Sequence, residues 1–154
     1  MTVAISAASP PEVGARSKAR KRAVDILFEA DLRGLDPVAL LGERVGAPEV
    51  PPVRHYTIEL VQGVLAHRDR IDRLIAEHAH GWTLGRMPAV DRAVLRLGLF
   101  ELLWADDVPD AVAIDEAVEL AKALSTDDSP RFVNGVLGTI AGIADQLRLS
   151  LGDG

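Results

Sequence analysis

The sequence predicts an all-α fold, a single compact domain of about seven helices. Its 154 residues suit one domain. Hydrophobic residues make up 48% of the chain, but only three Phe, two Trp and one Tyr are present. The core must therefore be built from Leu, Val, Ile and Ala, and this composition favours helices over strands. No segment alternates with the period of two that marks a strand, and no solenoid repeat is present.

The N-terminal region divides into a tail and a first helix. Residues 1–15 contain prolines and small residues, so they are predicted to form a flexible tail. Apolar residues at helical spacing then predict a helix over 16–32, which Gly34 ends. We expect the all-helical domain to span 16–150.

Two further helices are predicted before residue 80. Asp36 followed by Pro37 is typical of a helix start and predicts a short helix over 37–45. The three prolines in 46–52 predict a loop. A long helix is expected over 53–78. Its predicted buried stripe is Tyr56, Leu60, Val64, Ile71 and Ile75.

The segment 89–104 is apolar on nearly all sides, which predicts a helix at the centre of the bundle. Its few charges are expected near its ends or paired with neighbouring helices. These are Asp91, Arg92, Arg96 and Glu101.

Two helices are expected after the central one. The first covers 111–124, and the second begins with Ser129 as N-cap and Pro130 and continues to about Leu149. Three glycines lie roughly on one side of the second, and we expect them to allow close approach of another helix backbone. They are Gly135, Gly138 and Gly142.

Several classes of protein do not fit the sequence. Without cysteine, the chain has neither a disulfide framework nor a thiolate metal site. It contains no secretory signal and no run of about 20 apolar residues, so we expect a cytoplasmic protein that does not cross a membrane. Phosphate-loop, dinucleotide, zinc-protease and EF-hand motifs are missing, and the clustered aspartates are typical of caps and turns. We therefore expect no enzyme, cofactor or metal site.

Basic residues concentrate at the start of the first predicted helix. Arg16, Lys18, Arg20, Lys21 and Arg22 place five positive charges in seven residues. The whole chain has a net charge of −6, and the rest of it, with 12 basic and 23 acidic residues, carries −11. Such a basic end could steer a polyanion towards an otherwise repelling body. A solvated helix start is the alternative, although positive charge there opposes the helix dipole.

A second candidate element lies at the start of the last helix. Asp128, Ser129, Arg131 and Phe132 bring together a hydroxyl, a cation, an aromatic ring and free helix amides. Together with the basic run, this element could bind single-stranded RNA, its ring stacking on a base. Inward packing of Phe132 is an equally good reading of the sequence.

A long segment near the end of the chain carries a family resemblance. Val112 to Gly138 reads VAIDEAVELAKALSTDDSPRFVNGVLG. It is similar to the closing signature of the NusB family of transcription antitermination factors, which the chain resembles over about residues 16–148. The segments from Ala19 to Phe28 and from Val90 to Leu102 also fit. Ser17 stands where a family arginine can occur, and Gly85-Arg86 lacks acids that some relatives carry.

The resemblance implies a NusB-like helical bundle that binds boxA, a single-stranded element of ribosomal RNA leader transcripts. It implies partnership with the small-subunit ribosomal protein NusE and with the RNA polymerase elongation complex, which then resists termination. Family RNA contacts carry over to Arg16, Lys18, Arg20, Asp128, Ser129, Arg131 and Phe132, and Lys21 joins them from the basic run. The ribosomal-protein surface carries over to Asp91.

Two other functions remain open on the sequence. One is a homodimer in which the basic helix packs on another copy's acidic body and hides the RNA surface. The other is an RNA-binding module related to the one that precedes the catalytic part of an rRNA cytosine methyltransferase. That reading requires a cofactor-binding α/β domain downstream, and the chain ends at Gly154.

Overall fold

A computed structural model describes residues 11–47 and 52–152, and these residues form eight α-helices and no strand. A 3-10 turn at Leu84–Arg86 connects the fourth helix to the fifth. The helices are α1 (Pro11–Arg33), α2 (Pro37–Gly46), α3 (His55–Ala66), α4 (Arg68–His78), α5 (Ala89–Trp104), α6 (Asp110–Leu124), α7 (Ser129–Ala141) and α8 (Ala144–Gly152). The predicted all-α class is confirmed.

Helix α5 is the centre of the bundle, as predicted. It contacts α1, α3, α4, α6, α7 and α8. Most of its residues are buried, and Val94, Leu95 and Leu97 have no exposed surface. A helix that is apolar on all sides is stable only when other helices cover every side, which explains its central position.

The beginning of the chain differs from the prediction. Helix α1 starts at Pro11, so residues 11–15, which were expected in the tail, belong to the helix. The rest of the predicted tail, residues 1–10, lies outside the described residues, as does most of the loop expected over 46–52. The start of α2 agrees with the prediction, because the Asp36 carboxylate accepts a hydrogen bond from the Val38 amide.

The prediction of one helix over 53–78 is wrong, because the helix is broken at His67. The residue leaves helical geometry (φ −116°, ψ 16°) although neither glycine nor proline stands there. Its ring stacks on Trp104 of α5, with centroids 4.2 Å apart. The change of direction lets both α3 and α4 pack against α5.

The expected last helix is also two helices. Gly142 and Ile143 separate α7 from α8, and α8 packs back on α5. Ser129 is the first residue of α7 rather than its N-cap, because its hydroxyl is directed to Asp91 instead of to a first-turn amide.

The glycines that allow close packing are not the predicted ones. A Cβ atom added to Gly135 or Gly138 would meet no atom within 4 Å. A Cβ on Gly98 of α5 would instead lie 2.8 Å from Leu137 Cδ1 and 3.2 Å from Ala117 Cβ. Gly98 therefore sets the approach of α6 and α7 to α5.

The charged residues of α5 are paired with other parts of the chain, as expected. Arg92 Nε donates to Asp31 of α1 over 2.9 Å, and Arg96 Nε donates to Asp72 of α4 over 2.8 Å. Asp91 and Glu101 also have internal partners, and these two carboxylates organise the candidate site.

Candidate nucleic-acid interface

The basic run of α1 is divided between two faces of the helix. Arg16 and Arg20 are one turn apart and point to carboxylates of the body. Lys18, Lys21 and Arg22 lie on a neighbouring stripe, and none of them forms an ion pair within the described ranges 11–47 and 52–152. The division follows from the helical period, which sends residues two apart in different directions.

Arg20 is buried and forms ion pairs with two carboxylates. Its Nε lies 2.9 Å from both Glu101 oxygens, and its Nη1 donates to Glu116 over 2.8 Å. Only 4% of the residue is exposed. Burial lowers the pKa of Arg20, but Glu101 outweighs that effect and leaves it raised. Arg20 was expected to contact RNA. In the structure its guanidinium already binds two carboxylates, those of Glu101 and Glu116.

Tyr56 completes this cluster from α3. Its hydroxyl donates to Glu101, and burial together with that hydrogen bond raises the pKa of the phenol. Burial also raises the pKa of Glu101, against the opposing effect of Arg20. The three side chains join α1, α3 and α5 at one point, so they fix the direction of the basic helix.

Arg16 lies at the rim of the cluster. Its guanidinium covers the Tyr56 ring at 4.3 Å from the centroid and donates to Asp107 over 2.7 Å. The side chain is 36% exposed and that of Asp107 is 65% exposed. This hydrogen bond lowers the pKa of Asp107. Arg16 can reach a phosphate once it leaves Asp107, which makes it a candidate contact.

Asp91 and Ser129 form a second buried cluster, at the start of α7. Asp91 is 3% exposed and Ser129 is 1% exposed. The Ser129 hydroxyl donates to one carboxylate oxygen of Asp91 over 2.9 Å, and Ser125 donates to the other. Both residues therefore face inward and together hold the loop 125–129, whereas Ser129 was expected to contact RNA and Asp91 a protein partner.

The exposed part of this second region consists of Asp128, Arg131 and an aromatic pair. Phe132 is half-buried, and its ring lies 5.8 Å from that of Trp82, tilted by 44°. Trp82 is 46% exposed. Phe132 thus packs partly on the core and partly against a second ring, which combines the two readings of the sequence. The pair offers aromatic edges and faces of the kind that stack on bases.

The two regions lie at opposite ends of α5. Glu101 anchors the basic helix and Asp91 anchors the loop before α7. Ten residues of helix separate these carboxylates, which corresponds to about 15 Å along the axis. The same helix therefore anchors both candidate regions, at points near its two ends.

Three residues at the interface were missed from the sequence. Trp82 follows a glycine in a predicted turn, and a tryptophan in such a turn was the signal that the sequence offered. The structure shows that its ring is exposed. Arg22 belongs to the basic run but was not assigned to the site. Arg54 is 32 positions away from Arg22 in the chain, and only folding brings it beside the run.

Other kinds of site find no support in the part of the chain that the structure describes. No group of three or more His, Asp or Glu side chains there could hold a metal ion. None of the described helices has both the length and the apolar character needed to cross a membrane.

Comparison with known proteins identifies the family. The NusB family model matches residues 17–142. A transcription antitermination protein NusB from Saccharopolyspora erythraea is 75% identical over 140 residues, which cover 90% of this chain and 95% of the relative. The solved structure of T. maritima NusB has a TM-score of 0.76 at 34% identity and covers 88% of this chain and 96% of that one. A crystal structure of the antitermination factors NusB and NusE in complex with double-stranded RNA has a TM-score of 0.70 at 31% identity, covering 82% and 96%. The chain therefore belongs to the NusB family.

Proposed function

We propose that this chain is a transcription antitermination factor that binds boxA-type single-stranded RNA of rRNA leader transcripts. It acts with ribosomal protein NusE and helps the RNA polymerase elongation complex resist termination. The observation that carries the proposal is the stripe of α1 formed by Lys18, Lys21 and Arg22, which makes no ion pair among the described residues, on an otherwise acidic chain. The relatives' name, antitermination protein, and the NusB–NusE complex with RNA support it.

The proposed RNA surface has two functions. Arg16, Lys18 and Lys21 bind phosphates, which supplies affinity without sequence information. Arg131 and Phe132 at the start of α7, with Asp128 beside them, contact bases of an unpaired strand. Trp82 joins Phe132 in this second part.

The buried members of the predicted site act by positioning. Arg20 holds α1 through Glu101, and Ser129 holds the loop through Asp91. We assign Asp91 an indirect effect on the NusE surface, because both of its carboxylate oxygens already accept internal hydrogen bonds.

This activity is non-catalytic and cytoplasmic, as expected of a factor that works on transcribing polymerase. The relatives are named as antitermination proteins. The homodimer remains compatible with RNA binding if the dimer separates when RNA or NusE binds.

RNA binding tests the proposal directly. A boxA-like single strand, its scrambled version and a boxA duplex are titrated with the protein over a salt series, with and without purified NusE. We expect the single strand to bind most tightly, NusE to strengthen that binding, and affinity to fall with salt. Equal affinity for boxA and scrambled RNA in the presence of NusE would refute boxA recognition, and a preference for the duplex would refute the single-stranded ligand.

A substitution of Phe132 tests the proposed contact with RNA bases most directly. Phe132→Ala is expected to weaken boxA binding by about 1–3 kcal/mol, the range for loss of one stacked base, while its circular dichroism stays native. Val133→Ala is the matched control, since Val133 is fully buried and its truncation lowers stability instead. Unfolding of the Phe132 variant would show that the residue serves the core alone.

A further inference from the structure

A cleft of about 270 Å³ lies between α1 and the beginning of α3. Lys18, Lys21 and Arg22 line it from α1, and Arg54 lines it from the residue before α3. Pro52 and Thr57 complete the walls, and Asp25 is the one carboxylate in the lining. The cleft thus holds four cations against one acid in a chain whose net charge is −6.

The cations of this cleft are not neutralised by the body. None of the four makes an ion pair with another described residue, whereas Arg16 and Arg20 on the adjacent stripe are both paired. Lys21 and Arg22 do act on Asp25 through space, each opposing the rise that burial causes in its pKa. One carboxylate leaves an excess of positive charge, which a phosphate can neutralise.

The walls of the cleft are held together in the absence of any ligand. Thr57 is fully buried, and its hydroxyl donates to the Ala19 carbonyl over 2.9 Å, which joins the first turn of α3 to α1. Tyr56, the preceding residue, is joined to Glu101 and lies under Arg16. The buried contact therefore holds the backbone at Arg54 beside α1, so the two walls of the cleft are already in place.

The chemistry of the lining selects a phosphodiester. Two guanidinium groups can each donate a pair of parallel hydrogen bonds to phosphate oxygens, and the two lysines add point charges. Because α3 begins here without a side-chain cap, the positive end of its dipole adds to the same field. No aromatic residue lines the cleft, so it has nothing on which a base could stack.

We propose that the cleft formed by Lys18, Lys21, Arg22 and Arg54 binds backbone phosphate of the bound RNA, as a contact that does not depend on base sequence. The inference rests on the proposed RNA-binding function and adds Arg22 and Arg54 to its surface. The cleft lies beside the paired stripe of α1, so RNA that occupies it continues past Arg16 around the basic helix. Affinity gained there is the same for any sequence, whereas Phe132 discriminates between sequences.

The test compares two double variants that remove equal charge. Arg22→Ala with Arg54→Ala empties the cleft of guanidinium groups, whereas Arg70→Ala with Arg73→Ala removes two exposed arginines from α4. Both proteins are titrated with boxA-like RNA and with scrambled RNA, each extended at both ends, over a salt series. Melting curves establish that both are folded.

We expect the cleft variant to lose affinity for both RNAs by the same factor, about tenfold at low salt. We also expect its salt slope to be about 1.4 units shallower, at ~0.7 per lost contact on a single strand. The α4 variant should keep the wild-type slope. A wild-type slope in the cleft variant, or equal losses in both variants, would overturn the proposal.

The outcome is separable from that of the proposed function. If the wild-type protein does not prefer boxA, the proposed boxA recognition is wrong. The affinity for scrambled RNA that the cleft variant loses still measures the contact made by the cleft. If only boxA binding weakens in the cleft variant, the cleft reads sequence and the proposal of a backbone contact is wrong.

Discussion

Single residues of the same basic run have different physical roles, and burial decides between them. Arg20 and Arg16 differ by one helical turn, but the first is enclosed and the second is at the surface. The sequence shows five similar cations and cannot separate these roles, because the carboxylates that hold Arg20 come from α5 and α6. Lys18 and Lys21 are exposed, and their contact with RNA stays a prediction.

Asp107 restrains Arg16, so Asp107→Asn should strengthen RNA binding. Exposed ion pairs contribute about 0.2–1 kcal/mol, so the expected gain is roughly 1.4- to fivefold. Because Arg16 lowers the pKa of Asp107, the pair persists on mild acidification, and substitution is needed to open it. Asp106→Asn is the matched control, since that neighbour makes no ion pair among the described residues. An equal gain in both variants would mean that only net charge matters.

Glu101 is expected to be the most sensitive charged residue of the body. Glu101→Ala leaves Arg20 buried without the carboxylate to which its Nε donates, which costs on the order of 3–5 kcal/mol. Glu116→Ala removes the half-exposed partner and should cost much less, because Glu101 remains. Denaturant unfolding measures both, and similar losses would contradict the assigned order.

At the scale of elements, patterns that depend on neighbours in sequence were predicted well. The bounds of α5 and the cap of α2 follow from apolar spacing and from Asp36-Pro37. The helix breaks at His67 and at Gly142 depend on packing against α5. The local sequence pattern therefore did not predict the break at His67, and the presence of a glycine at 142 was not enough to predict the other. Likewise, the pairing of Phe132 with Trp82 joins residues 50 positions apart, beyond the reach of helical spacing.

The helix contact at Gly98 gives a prediction with an internal control. Gly98→Ala should destabilise the protein by about 1–3 kcal/mol, because the new methyl group meets Leu137 and Ala117 in a filled core. Gly135→Ala meets no atom and should stabilise α7 by up to about 1 kcal/mol. Thermal unfolding distinguishes the two signs, and stabilisation by both would show that α5 has room at this point.

The whole molecule carries the two proposed RNA-contacting regions at opposite ends of one helix, α5. Their anchors, Glu101 and Asp91, are about 15 Å apart along α5, and no hydrogen bond in the described chain links one cluster to the other. The clusters therefore hold their surfaces independently.

Independent ends predict additive effects on RNA binding. In a double-mutant cycle, Lys18→Ala and Phe132→Ala should lower the binding free energy of one boxA-like RNA by amounts that add within about 0.5 kcal/mol. Titration of the wild type, the single variants and the double variant measures this. A larger coupling energy would mean that one end reorganises the other.

The charges on α5 also specify how that helix sits in the bundle. Its apolar surface is made of similar aliphatic side chains, interrupted by the close contact of Gly98 with Leu137 and Ala117, which already disfavours a shift along the axis. The polar partners also oppose a shift, because Asp91, Arg92, Arg96 and Glu101 meet groups on three other helices, α1, α4 and α7. A slip of one turn, about 5.4 Å, would separate all four at once and leave buried charge unmatched. These polar contacts and the packing at Gly98 thus select the same register of α5, and both proposed RNA-contacting surfaces take their spacing from it.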